Sequence, residues 1–493
     1  MNKYIKYSLG LVFLLFTTSC EDFLDKAPQG VTTQESFPVT VEDAFLATNA
    51  VYVTLRNWNF HSGGFPLLDI MSDDAYKGSN PGDAAATVGV FDRFVHTPDL
   101  GLLNNWWNAL YEGIKRANVV IEYLPQTSID ETLKAQYIAE AKFLRSLFYF
   151  DLVRAWGGVQ IVESTAPPLN LERASIEETY NFIEAGLLEA IPNLPEKSSL
   201  ARGDIGRATK GAARSLLAKV YLFRGDFVNA EKFAMEVINS MEYDLEENFA
   251  NANSVEGENG IESVFEVGAL SIPNTEGGGN QYANTQGSRG VPNKGWGFNR
   301  PSIDLRAAFE AGDPRQEATI IELGDVIDGI LIIGDANTPD LLDNGYAIEI
   351  ESYNQKVWVP GETVIENFGH NRRLIRYADV LLMAAEALNE NNKTDLALLQ
   401  LNKVRARARQ GNEEILPDII ETNKDALRDI ILQERRVELA LEGHRFWDLV
   451  RTGKAAAVLG PLGFIQGKHE LLPIPQNQID LMQGVLKQNA NWN

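Results

Sequence analysis

Apolar residues recur at intervals of three and four over residues 41–56, 105–124, 131–156, 176–191, 208–223 and 227–240, and again over 377–390, 394–409 and 424–442. That spacing places them on one face of a helix and predicts a mainly α-helical chain. Between Tyr137 and Val153 the apolar face closes almost into a ring, through Phe143, Leu144, Leu147, Phe148, Phe150 and Leu152. A helix with hardly any polar side is a buried one, so its Lys142, Arg145 and Asp151 need partners. Residues 250–375 break the pattern: they are rich in Gly and Asn and carry short strand-like runs at Ser263–Val267, Thr319–Leu323 and Lys356–Val359. The expected layout is a helical scaffold over about 41–245 and 375–450, interrupted by a loop-rich insertion with short strands over about 250–375. Loops held by a rigid scaffold are where binding is usually placed.

Two stretches are similar to tetratricopeptide helical hairpins, in which a small residue lets paired helices approach and a large one fills the gap. The first has Leu217, Ala218, Tyr221 and Ala230; the second has Ala384, Ala385, Leu388, Ala397 and Leu401. Gly225 and Asp226, then Asn391 and Asn392, supply the turns between the paired helices.

The N-terminus has a different character. Lys3 and Lys6 precede an apolar run from Leu9 to Phe16, which closes on Thr17, Thr18, Ser19 and Cys20. About eight apolar residues cannot cross a hydrocarbon layer that needs about 20 in helix, so residues 1–19 read as an export signal and not as a membrane span. Small residues directly before a cysteine predict cleavage there and lipidation of the Cys20 sulfur, although Thr17 stands where a bacterial lipobox usually has Leu. The alternative is an exported soluble protein with a spare thiol. Residues 20–40, with Pro28, Gly30 and Pro38, read as a tether that settles onto a body spanning 41–493. Cys20 is the sole cysteine, so no disulfide forms within the chain and packing must supply the stability.

Charge narrows the function. With 68 acidic against 44 basic side chains the formal charge is −24, which repels a phosphate backbone and excludes nucleic acid as a partner. The five histidines, at 61, 96, 370, 444 and 469, include no i, i+4 pair of the kind a zinc-binding helix uses. A Gly-x-Ser-x-Gly nucleophile turn and a phosphate-binding glycine loop are both lacking. Nothing in the sequence calls for a cofactor or a metal.

Seven ordered blocks carry a family resemblance along nearly the whole chain. They are AEAKFLRSLFYFDLVRAWGG at 139–158, RATKGAARSLLAKVYLFRGDF at 207–227, AGDPR at 311–315, LIRYADVLLMAAEALNE at 374–390, LNKVRARA at 401–408, QERRVELALEGHRFWDLVRTGK at 433–454 and LLPIPQNQI at 471–479. The sequence resembles the SusD/RagB family, nutrient-binding outer-membrane lipoproteins of Bacteroidota. The family's usual terminal Asn-Pro-Gly-Tyr is replaced here by Asn489, Ala490, Asn491 and Trp492. The resemblance implies a protein without catalysis that closes as a lid over a SusC-like TonB-dependent transporter and captures glycan or peptide for import. It also implies display on the outer leaflet facing the exterior, because Glu21 and Asp22 after the cysteine are similar to the acidic surface-export signal of such lipoproteins.

Several residues invite a chemical role. Asp69, Asp73 and Asp74 suggest a calcium site or a glycosidase pair, but neighbouring aspartates also serve as caps and turn formers. His444, Arg445, Trp447 and Asp448 lie inside a family block and read as a structural network. Glu434 falls on the apolar face formed by Leu427, Ile430, Ile431, Val437 and Leu441, and a carboxylate there needs a partner, with Arg376 or Arg145 as candidates. Sugars lay their apolar C–H faces on aromatic rings while Asn, Gln, Asp and Arg take the hydroxyls. Trp58 lies with Asn57, Asn59, Phe60 and His61 in a polar break after the first helix, and Trp296 follows the Gly-rich stretch 277–295. Of Trp106 and Trp107, at least one belongs in the core. The expected ligand-binding set is Trp58, Asp73, Tyr76, Asn80, Trp296 and Trp358. A neutral glycan such as a glucan suits a net negative protein better than a polyanion. The competing readings are a peptide-binding member of the same family, a secreted glycoside hydrolase, and a tetratricopeptide-like adaptor for other proteins.

Overall fold

The computed structural model describes residues 37–60, 69–270, 281–335, 341–343, 346–361 and 369–492. Cys20, the signal at 1–19, His61 and most of the tether lie outside the described residues. Nine long helices carry the scaffold among those described: α1 (Val41–Leu55), α2 (Gly101–Tyr123), α3 (Glu131–Trp156), α4 (Ile176–Ala190), α5 (Lys210–Arg224), α6 (Phe227–Ser240), α7 (Tyr377–Glu390), α8 (Thr394–Ala408) and α9 (Lys424–Glu438). Local chemistry starts most of them where the periodicity does. Thr40 with Asp43, and Ser175 with Glu178, form reciprocal capping boxes at α1 and α4, while Asp130, Thr209, Asp226 and Asn423 accept from the first-turn amides of α3, α5, α6 and α9.

The predicted buried helix is α3, packed between α2 and α4. Phe143, Leu144, Phe148, Phe150, Leu152 and Trp156 are essentially inaccessible, and burying each side chain contributes about 2–3 kcal/mol. Gly113 on α2 permits the close approach: a Cβ there would sit 2.5 Å from the Phe148 ring. Trp106 and Trp107 are both core, with ring centroids 4.9 and 5.1 Å from that of Trp156. The polar residues of α3 have the required partners. Lys142 pairs with Glu189 at 2.5 Å, Arg145 donates to Asn118 Oδ1 at 2.8 Å and lies over the Phe182 ring, and Asp151 accepts from Arg154.

Helices α5 with α6, and α7 with α8, form the two predicted hairpins, and α6 packs on α7 to join them. Their small and large positions are buried. Asn391 Nδ2 donates to Phe227 O and Glu231 across the joint.

The insertion leaves and re-enters the scaffold through one antiparallel pair, β2 (Ser263–Val267) with β10 (Arg372–Arg376), so its two ends are neighbours. Four further two-stranded antiparallel sheets lie in it or touch it: β1 (Ala75–Gly78) with β3 (Phe298–Pro301), β4 (Ile320–Glu322) with β9 (Ser352–Asn354), β5 (Val326–Ile327) with β6 (Ile330–Leu331), and β7 (Leu341–Asp343) with β8 (Tyr346–Glu349). Strand β1 belongs to the N-terminal part of the chain, so residues 69–80 are stitched to the insertion. The run Lys356–Val359 is not a strand. Gln355–Val357 is a 3-10 turn, started by the Asn354 side chain accepting from Lys356 N.

A buried ion network fastens the insertion to the scaffold through α9. Arg315, fixed by Asp313, reaches Glu434 at 2.5 Å and Glu438 at 3.0 Å. Arg376 reaches Glu262, Glu438 and Glu442 at 2.7, 2.6 and 2.9 Å. Glu434 is therefore paired, but with Arg315 and Arg405 and with neither expected candidate; Arg145 is taken by Asn118. Helix α9 stops at Glu438, four residues before the expected end: Leu439 leaves helical geometry, and Leu441 and Gly443 beyond it take left-handed backbone. The departing C-terminal residues also dock: Trp492 Nε1 donates to Lys468 O and Leu471 O, and Asn489 Nδ2 to Leu472 O.

Candidate functional site

Trp58 sits just past the end of α1 and Trp296 sits in the loop before β3, yet their ring centroids are 5.7 Å apart with planes at 70°. Trp58 is 42 % exposed and Trp296 is half-buried, so two indoles meet edge to face at the protein surface. Backbone geometry sets the Trp296 side. Its amide donates to Asn284 O at 2.8 Å, and the next carbonyl, Gly297 O, accepts from Ser79 N at 2.6 Å. This interlock needs glycine on both strands: Gly78 and Gly297 have φ of 70° and 71°, and a Cβ on Gly78 would lie 2.4 Å from Gly297 O.

Arg289 supplies the polar wall. Its guanidinium donates to Ser79 Oγ at 2.7 Å, pairs with Asp335 at 2.6 Å and contacts Asp83. The hydrogen bond from Arg289 holds the exposed Asp83 carboxyl below the usual carboxylate range. Asn80, half-buried, adjoins Ser79; its carbonyl accepts from Lys77 Nζ at 2.8 Å, as do those of Gly78 and Asp83 at 2.7 and 2.9 Å. Ser79, bonded through its amide to Gly297, thus links the indole pair to the Arg289 guanidinium, the Asp83 carboxylate and the turn that bears Asn80; this linked set is the ledge.

Of the expected residues, the structure brings Trp58, Trp296 and Asn80 to this ledge. Trp358 belongs to a separate cluster: Nε1 donates to Asp328 at 2.6 Å, Lys294 Nζ sits 4.6 Å from its ring, and it packs with Ile321, Ile332 and Tyr353. Tyr353 joins that cluster to the ledge by donating to Arg289 O at 3.1 Å. Tyr76 is directed elsewhere; it pairs with Arg300 in the β1–β3 register, and burial raises its phenol above the ordinary value. The carboxylate of Asp73 is buried and held by Arg445 at 2.8 Å and Arg436 at 2.9 Å, away from the indole pair in the bonding network. The other two aspartates are also consumed in packing. Asp74 pairs with Arg436 at 2.7 Å, and Asp69 accepts from Gly443 N at 3.0 Å and Asn299 Nδ2 at 3.1 Å. Burial pushes Asp69 up to about 7. The cluster at 444–448 is likewise structural, with Asp448 clamped by Arg451 at 2.8 Å and Arg435 at 3.2 Å. Sequence reasoning missed Arg289, Asp83 and Asp335, whose only local signal is an arginine between glycine-rich turns.

Among the described residues no helix is long and apolar enough to cross a membrane, and no group of three or more metal-ligating side chains is gathered. These residues form a surface ledge on a helical scaffold, with Arg289, Asp83 and Asp335 tied up in pairs. Comparison with known proteins identifies its kind. The profile of the SusD family matches residues 261–463, and a second, described as starch-binding associating with outer membrane, matches residues 73–222. A SusD-like protein, P2, from Formosa agariphila is 29 % identical over 99 % of this chain and 100 % of its own length. A laminarin-binding SusD-like protein of known structure is 31 % identical with a TM-score of 0.77, over 92 % of this chain and all of its own. Surface glycan-binding protein A from Bacteroides thetaiotaomicron, solved in complex with laminarihexaose, is 27 % identical with a TM-score of 0.75, over the same shares. The chain belongs to the SusD family and is a non-catalytic binding protein of that fold.

Proposed function

We propose that this chain is an outer-membrane surface lipoprotein, anchored through Cys20, that captures a neutral β-glucan and serves as lid and delivery partner of a SusC-like TonB-dependent transporter. One observation carries the ligand class. Two tryptophans 238 positions apart in sequence converge at the surface, beside a guanidinium suited to sugar hydroxyls. Stacking on indole faces gives affinity without chemistry. The laminarin ligands of two relatives, together with the net charge of −24, favour a neutral glucan over a polyanion. The family description that mentions the outer membrane, and the export signal ending at Cys20, support the location.

The hydrolase reading lacks its chemistry at the ledge. A glycosidase needs a carboxyl of raised pKa opposite a second one, whereas Asp83 and Asp335 both pair with Arg289, and Asp83 is shifted down. Affinity electrophoresis in a panel of laminarin, xylan, mannan and pectate tests the proposal. Laminarin should retard the protein, pectate should not, and no new reducing ends should appear. Sustained release of reducing ends, or retardation by pectate alone, refutes it.

A further inference from the structure

Lys77, on β1, closes the turn on which the ledge depends. Its Nζ lies 5.6 Å from the Phe298 ring, and its stem runs along the backbone at Gly89, where a Cβ would come within 3.0 Å of Lys77 Cδ. Beyond the strand the chain curls back, and the carbonyls of Gly78, Asn80 and Asp83 converge on Nζ at 2.7, 2.8 and 2.9 Å. Three acceptors need three donors, which the ammonium has and the neutral amine lacks, so the side chain is charged and fully used. Burial lowers its pKa from the ordinary lysine value, while Glu349, Asp83 and Asp92 act in the other direction. The backbone it encloses is one that does not form readily by itself. Gly78, Ser79 and Ala84 have φ of 70°, 55° and 48°, and residues with a side chain rarely take that left-handed region. Three carbonyl oxygens drawn together also repel one another unless a cation lies among them.

This turn carries both parts of the ledge. Ser79 N donates to Gly297 O at 2.6 Å, beside Trp296, while Ser79 Oγ donates to the Asp83 carboxylate at 3.0 Å and accepts from Arg289 at 2.7 Å. Asp83 is held at both ends, its carbonyl on Lys77 and its carboxylate on Arg289. We infer that Lys77 is the positioning residue of the ledge: its ammonium presets the 78–83 turn in the form that aims Arg289 and Trp296 at a ligand, with no donor left to touch the ligand itself. The inference rests on the glycan reading of the ledge. A turn already closed does not have to be ordered when a sugar arrives, so the entropic cost of its shape falls on folding and not on binding.

Rebuilding the ammonium chemically tests this. Cys20→Ser leaves the chain without a thiol, so Lys77→Cys in that parent introduces the sole one. Bromoethylamine converts it to a side chain of lysine's length with a terminal ammonium, and iodoacetamide to one of similar bulk with a neutral amide. Both are attached in urea and refolded, with the Cys20→Ser parent refolded alongside. The carbamidomethylated chain should bind laminarihexaose about tenfold more weakly than the parent at an unchanged melting temperature, and the aminoethylated chain should come within about twofold of the parent. Hydrogen exchange over residues 77–84 needs no ligand; it should be about tenfold faster in the carbamidomethylated chain and return to the parent rate with the ammonium. Equal exchange in the two alkylated forms overturns the inference, because bulk and not charge then shapes the turn. So do equal affinities in a parent that binds, or a melting temperature that falls in step with affinity. If the parent itself fails to bind laminarihexaose, the ligand reading falls, and exchange alone upholds or overturns the role of Lys77.

Discussion

Replacing Trp58 by alanine should weaken laminarihexaose binding by about thirtyfold while leaving the fold intact. Trp58 is 42 % exposed. An aromatic side chain presents up to about 250 Å², so about 100 Å² is open to a sugar ring. At about 25 cal/mol per Å² full coverage contributes about 2.5 kcal/mol, and incomplete coverage by a sugar face brings this to about 2 kcal/mol. At about 1.4 kcal/mol per decade, that is about thirtyfold in Kd. Trp296 should behave similarly and not additively, because truncating either indole also removes the 5.7 Å edge contact that orients the other. Isothermal titration at fixed salt gives the affinities, and circular dichroism melting reports the fold. The reasoning fails if Trp58→Ala binds within twofold of wild type. It fails equally if binding is lost only in step with unfolding, which would make Trp58 a structural residue.

Three further outcomes follow from the scaffold. Glu434→Gln removes the charge facing Arg315 and Arg405 in a buried site and should cost about 3–5 kcal/mol in urea unfolding with glucan affinity unchanged; a folded variant that cannot bind would contradict it. Gly113→Ala forces a methyl against Phe148 and should cost about 1–3 kcal/mol, read from the same titration, and a neutral result would show that α2 and α3 part easily. Stability should fall as the pH drops from about 6.5 to 4, because the buried histidines outweigh Asp69, and fall more steeply below pH 4. Burial lowers His370 and His444 to about 3, so each destabilises the fold progressively as pH falls below 6.5, by up to about 1.4 kcal/mol per unit. Asp69, raised to about 7, acts oppositely, since it contributes most when protonated and loses that contribution as pH rises from about 4 to 7. Below pH 4 the depressed carboxylates add to the loss. Burial alone would raise Glu442, but Arg376 and Lys356 outweigh it and bring it down to about 2; Glu438 and Asp448, ringed by arginines, are also depressed. A melting temperature that rises on acidification below pH 4 would refute the assignment.

The helices were legible because a buried face imposes a 3.6-residue period that survives in any single sequence. Helices α3, α6 and α7 begin and end where the pattern does, each start reinforced by a local cap or by the strand before it. Long-range charge pairing left no such trace. The counter-ion of Asp73, Arg445, is 372 positions away, and Arg315, which pairs with Glu434, arrives from the insertion. The run Lys356–Val359 differs for a local reason: a short β-branched and aromatic run suits a strand, and the Asn354 side chain decides in favour of a turn. At the ledge, Trp58 and Trp296 were each readable as a tryptophan in polar surroundings. Their meeting depends on the Gly78–Gly297 interlock, which only the folded chain displays.

A crystal structure of the protein with laminarihexaose tests the central claim most directly. The account predicts a glucosyl ring stacked on Trp58 or Trp296, with a sugar hydroxyl within hydrogen-bond distance of Arg289 or Asp83. Hexaose bound elsewhere on the molecule, with both indoles bare at saturating ligand, would contradict it.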